Sequence, residues 1–201
     1  MIDLGDPLLD AATHVVAVDD GQPIAHTASV GQTGDTGSAA PQTGPMRVVL
    51  RFEIDAYPDE VWAMLHDPVA LQRVAAPVLE LKPVGHRRFP PTWTPGDHLV
   101  RIRLLGILPV GDQLIRISTS RRGGARILED SGGPISGALG LVSGWRHRMA
   151  VSPLPGGGTL YRDRLDISAG ALTPMVWIGA WVFWQYRAAR IRRVVASRHA
   201  R

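Results

Sequence analysis

The stretch that most constrains how this chain folds is Thr173–Arg198, near its C-terminal end. Pro174 stands where a first-turn proline loses no helical hydrogen bond, and Thr173 before it is the expected N-cap. Trp177, Trp181, Trp184, Ala188, Ile191 and Val195 recur at spacings of three and four, which sets them on one stripe of a helix. Arg187, Arg190, Arg192, Arg193 and Arg198 gather toward the end where the helix dipole favours cations. Such a helix is roughly 40 Å long. Its first half is apolar almost all round, with Met175, Val176, Ile178, Val182 and Phe183 on the other faces, and so has to be wrapped. A bilayer needs roughly 20 apolar residues. The strongly apolar helical part, Pro174–Trp184, falls short of that, which leaves a curved sheet as the expected wrapper.

The absence of cysteine excludes disulfides, thiolate metal sites and a cysteine nucleophile. Charge is unevenly placed. The residues up to Pro45 carry Asp3, Asp6, Asp10, Asp19, Asp20 and Asp35 and no Lys or Arg, so the net +4 divides into −6 there and +10 in the rest. The N-terminus is acidic and no apolar core follows it, so no secretory signal is expected and the expected location is cytoplasmic.

Met1–Pro45 reads as an acidic, poorly ordered extension, with a short strand possible at Val15–Val18 and a Gly/Ser/Thr/Pro-rich run over Gly31–Pro45. From Met46 onward Val48, Leu50, Phe52 and Ile54 alternate with polar residues, the pattern of a half-buried strand. Pro58 opens one short helix and Pro68 a second, which Pro77 ends. Further strands are expected at Val78–Val84, His98–Leu105, Leu114–Arg121, Ala125–Ser131, Trp145–Leu154 and Thr159–Ser168. Turns are expected at Gly106, Pro109–Gly111, Gly123–Gly124 and Pro155–Gly158. Strands joined by short turns make a mostly antiparallel sheet. The expectation is an α+β domain over residues 46–201: about seven strands, two short helices after the first, and one long closing helix.

That order resembles the START/Bet v 1-like (SRPBCC, polyketide cyclase/dehydrase and lipid-transport) superfamily. The residues carrying the resemblance are YPDEVW at Tyr57–Trp62, WRHRM at Trp145–Met149, GGGTLYRDRLDI at Gly156–Ile167 and the AGALTPMVW entry into the last helix. It covers about Met46–Arg198. The resemblance implies a helix-grip fold, a bent antiparallel sheet closing on the C-terminal helix around an apolar cavity. Superfamily members differ widely in what they do, so the fold alone assigns no function.

Strand alternation with a turn centred near Pro155 pairs Val151 with Thr159, Met149 with Tyr161, His147 with Asp163 and Trp145 with Leu165. The apolar members mark this as the inward face, so His147 and Asp163 are expected to meet there. Either the two satisfy each other in an apolar wall, or the carboxylate orients an imidazole that binds a ligand or moves a proton. The histidines lack metal-ligand spacing, and the glycine runs lack the phosphate-loop pattern. Arg101, Arg103 and Arg116 alternate with apolar residues and belong to a solvated face. No cofactor and no nucleic-acid partner are expected, since a basic helix end alone gives only salt-sensitive, unspecific binding. The expected function is to hold a small hydrophobic or amphipathic ligand (lipid, quinone or polyketide-like) against Trp62, Trp93, Ile102, Ile117, Trp145, His147, Tyr161, Asp163, Trp177 and Trp181. The alternatives are an aromatase/cyclase-type enzyme using His147 and Asp163, or peripheral membrane contact through the basic end of the last helix.

Overall fold

The computed structural model describes residues 44–199. All but the last two residues of the expected acidic extension, together with the strand expected at Val15–Val18, lie outside the described residues. Strand β1 (Met46–Ile54) leads into helices α1 (Pro58–Leu65) and α2 (Pro68–Ala75). Strands β2 (Leu79–Pro83), β3 (Gly96–Leu104), β4 (Leu108–Arg122) and β5 (Ala125–Asp130) follow, then the two-residue β6 (Gly133–Pro134) and a 3-10 turn over Gly137–Leu141. Strands β7 (Gly144–Pro153) and β8 (Thr159–Ser168) precede helix α3 (Thr173–His199). The sheet is antiparallel, in the order β1-β8-β7-β5-β4-β3-β2, with β6 beside β4. Helix α3 lies against β1, β8 and α2. This is the helix-grip arrangement, with seven full strands.

Alternation places the core. In β1, Val48, Leu50, Phe52 and Ile54 are buried while Arg51 and Glu53 face out. In β8 every second residue from Thr159 to Ile167 is buried. On the outer face Arg101 pairs with Asp112 and Arg116 with Asp97 across β3 and β4, exposed ion pairs of small energetic weight. Both short helices start on carboxylates. Glu60 accepts the Tyr57 N–H at 3.1 Å, and Asp67 accepts the Val69 N–H at 2.8 Å.

Three expectations are corrected. Helix α3 is gripped on one side only. Met175 is 64% exposed, and Ile178 and Val182 also face outward, because the sheet covers just the stripe running through Trp184, Ala188, Ile191 and Val195. Thr173 does not cap that helix. Its hydroxyl donates to the Gly170 carbonyl at 2.6 Å and accepts the Ala169 N–H at 2.9 Å, so it locks the β8–α3 turn, and the Leu172 carbonyl receives the first helical N–H from Val176. Pro109–Gly111 lies within β4. The chain reverses earlier, at Leu105 and Gly106, both at positive φ. The basic end of α3 is also engaged: Arg190 donates to the Arg73 carbonyl at 2.8 Å and Arg192 lies 4.4 Å over the Phe52 ring.

The segment between β5 and β7 rests on the end of β4 backbone against backbone. A Cβ on Gly132 would fall 1.9 Å from the Leu114 carbonyl oxygen, and one on Gly111 at 1.9 Å from that of Ser136. No side chain fits between these chains. Gly132→Ala is therefore expected to lower stability by about 1–3 kcal/mol, read by urea denaturation, whereas Gly140→Ala, with no atom near its added methyl, leaves the midpoint in place.

Candidate functional site: a cavity over a buried carboxylate

Between the concave face of the sheet, α2 and the first half of α3 lies a cavity of about 390 Å³. Ile102, Ile115, Ile117, Leu128 and Met149 line it from the sheet, Ala70, Leu71 and Val74 from α2, and Val176, Gly179, Ala180, Phe183 and Trp184 from α3. Trp93 closes it from the proline-rich loop, where its backbone N–H donates to the His66 carbonyl at 2.7 Å. Where the cavity meets the helix, two of the residues are Gly179 and Ala180. Small side chains on that face leave the space.

Polar groups enter the wall at few points: Gln113, Asp130, His147 and Arg187. Behind His147 sits Asp163, fully buried. Each of its carboxylate oxygens accepts two hydrogen bonds. One receives His147 Nε2 at 2.7 Å and Trp184 Nε1 at 2.9 Å. The other receives the Tyr161 hydroxyl at 2.8 Å and Arg187 Nε at 3.2 Å. Arg187 also reaches Met149 Sδ with Nη2 at 3.1 Å. Burial by itself pushes the Asp163 carboxyl up, but His147, Arg187 and Trp184 together outweigh it and hold the group well below the usual carboxylate range. Burial and then the Asp163 charge raise the Tyr161 phenol, so it stays protonated and donates. Burial works against the Arg187 charge, yet Tyr161 and Asp163 keep its guanidinium above its ordinary value. An ionised carboxylate only accepts, so His147 Nε2 carries the proton. Its Nδ1, on a ring that lines the cavity, has no protein partner among the described residues.

A second carboxylate, Asp130, is held differently. It accepts the backbone N–H groups of Arg116 and Gly132 at 2.9 and 3.0 Å and Trp145 Nε1 at 3.1 Å. This fixes the Trp145 ring against the cavity. Among the described residues no three His, Asp or Glu side chains are grouped to hold a metal ion, and no helix is long and apolar enough to cross a membrane.

Of the residues expected to line a cavity, Trp93, Ile102, Ile117, Trp145 and His147 do so. Tyr161 and Asp163 lie beneath the wall instead, since both are fully buried and turned into the hydrogen-bond cluster. Trp62, Trp177 and Trp181 are elsewhere. Trp62 packs on His66 under the Arg126 guanidinium. Trp177 donates to the Arg47 carbonyl at 2.8 Å, at the edge of the sheet. Trp181 faces outward at 37% exposure. Of the tryptophan stripe only Trp177 meets the sheet edge, and the adjacent stripe through Val176, Ala180 and Phe183 meets the cavity together with Trp184. The strand register also differs from expectation: His147 pairs with Leu165 and Met149 with Asp163, because the turn takes only Leu154–Gly158. His147 and Asp163 still touch, as diagonal neighbours on one face. Gln113, Asp130, Trp184 and Arg187 were not among the expected site residues. Gln113 fell outside the expected strand, and Arg187 was read as a helix-end cation although it lies three residues after Trp184.

Asp163→Asn removes the charge that Arg187 faces, and is expected to cost about 3–5 kcal/mol. A carboxyl whose folded-state pKa is depressed adds stability above its unfolded pKa and loses it as pH falls through the folded value. Wild-type protein should thus lose more stability than the variant on acidification below about pH 4, measured by denaturant titration at each pH.

The family model of a domain of unknown function, DUF8410, matches residues 52–195. Among curated proteins no sequence matches. Similar solved structures include a protein from Arthrobacter aurescens, 16% identical over 75% of this chain and 86% of its own, with a TM-score of 0.56. Protein Ms6760 from Mycobacterium smegmatis is 15% identical over 79% of this chain and 100% of its own, at 0.53. Norcoclaurine synthase from Thalictrum flavum, in complex with dopamine and hydroxybenzaldehyde, is 13% identical over 85% and 98%, at 0.52. These likenesses are of fold, which is START/Bet v 1-like. The chain, matched over most of its length, belongs to the DUF8410 family.

Proposed function

We propose that the domain binds a small hydrophobic or amphipathic ligand, lipid-, quinone- or polyketide-like in character, in the cavity between sheet and α3. The observation that carries this is the cavity itself. Its volume of about 390 Å³ falls within the roughly 300–1,000 Å³ of small-molecule sites, and its wall is apolar apart from four polar side chains. Apolar burial supplies the affinity, and the polar groups set the orientation. The norcoclaurine synthase structure, a similar fold solved with two small aromatic molecules, supports the same reading.

A second reading, proton transfer on a bound ligand by a cyclase-type enzyme, is favoured by one observation: the His147 ring is oriented by Asp163 with Nδ1 unpartnered in the cavity wall. In that reading His147→Ala abolishes turnover and leaves binding in place.

The binding reading is tested by filling the cavity. Ala180, partly buried on the cavity face of α3, becomes Trp. Native mass spectrometry after exposure to an apolar extract is expected to show ligand on the wild-type protein and none on folded Ala180→Trp. A wild-type protein that takes up nothing overturns the proposal.

A further inference from the structure

Gln113 is the one polar side chain of the cavity wall that no other part of the described protein explains. It sits on β4 with Ile115 and Ile117, alternating with the outward Leu114 and Arg116, so it projects from the concave face. It is 8% exposed, and neither its amide oxygen nor its amide nitrogen meets a hydrogen-bonding group of the described residues. The other three polar wall residues have fixed partners: Asp130 is bound by three N–H groups, and His147 and Arg187 are bound to Asp163. An amide that faces an apolar chamber with no protein partner is poorly satisfied in the empty protein. It becomes favourable when a guest brings the missing hydrogen bond.

Position says where that guest must be polar. Ile117 pairs with Asp130, and Asp130 with His147, so His147 and Ile117 stand at one level of the sheet. Gln113 is four residues away along β4, roughly 13 Å at 3.3 Å per residue. Between them β4 contributes Ile115 to the wall, with Ile117 at the level of His147. Charge narrows the class further. Two carboxylates, Asp130 and Asp163, stand in the wall and the layer behind it against one guanidinium, Arg187, which disfavours an anionic head group. Resting on the ligand-binding reading above, we propose that Gln113 is a ligand-anchoring residue, and that the cavity takes an uncharged apolar molecule oxygenated at two separated points. One oxygen pairs with the Gln113 amide, and the other, a hydroxyl, pairs with His147 Nδ1.

The test uses the full chain and three probes of equal chain length: 1,12-dodecanediol, 1-dodecanol and dodecanoate, titrated calorimetrically at neutral pH. The diol is expected to bind tightest and dodecanoate weakest. Gln113→Leu is expected to weaken the diol about tenfold and dodecanol much less, while raising the melting temperature of the ligand-free protein. Gln113→Met repeats the measurement should the first variant fold poorly. Binding of diol and dodecanol that the variants leave in the same ratio overturns the inference and spares the binding reading. A lowered melting temperature with that ratio unchanged also overturns it, marking Gln113 as structural. If wild-type protein binds neither alcohol, the binding reading falls and this inference with it.

Discussion

A single carboxylate, Asp163, decides how the long helix meets the sheet. Removing an ion from water costs several kcal/mol even after relaxation, and here the cost is offset by two donors on each oxygen. Those donors come from β7, from β8 itself and from two successive turns of α3. Because both Trp184 and Arg187 must reach it, the helix has one height and one rotation at which every member is satisfied. Apolar packing alone is more forgiving, since a helix can slide over an aliphatic surface at little loss. A buried network satisfied in one arrangement and half-satisfied in the others discriminates sharply among them. The cluster thus acts mainly on specificity of packing, and the apolar layer of Leu50, Tyr161, Leu165 and Ile191 supplies the bulk of the burial.

Fixing the helix at its middle shapes what happens at its ends. Beyond the cluster, Ile191, Val194 and Val195 are buried and Arg192 lies on Phe52. Before it, the helix lines the chamber with Ala180 and, at the exposed rim, Gly179, and the apposed surfaces do not meet. The cavity is therefore the space that a clamped helix leaves over its narrow residues, walled at depth by Trp93, Trp145 and Trp184. The indole N–H groups of the last two are taken up by carboxylates. Rigid aromatic walls held at their polar ends keep the space open without flexible side chains to fill it.

Much of this was legible in the residues. Strand alternation gave the inward faces, and the meeting of His147 with Asp163 survived an error in register because the true pairing is shifted by two, which preserves the face. What the pattern could not place was the boundary between packing and space. The helical stripe Trp177–Trp181–Trp184 is periodic throughout, yet only its last member reaches the cavity, because the sheet edge takes Trp177 and leaves Trp181 facing outward. Arg187 and Gln113 were hidden for a related reason. Polar residues on an inward face read as helix-end charge or strand-end punctuation until the third dimension shows what surrounds them.

The residues that hold the fold and those that shape the interior are largely different sets. Asp163, Tyr161 and the backbone contacts at Gly111 and Gly132 maintain the frame, while Ile102, Ile115, Ile117 and Leu128, core residues themselves, also give the chamber its contour. Exchanges among aliphatic residues at the contour positions re-mould the chamber without loosening the frame. Descendants of one scaffold can therefore diverge in which guest they accept while remaining equally foldable, and sequence distance between two such proteins says little about whether their chambers still match.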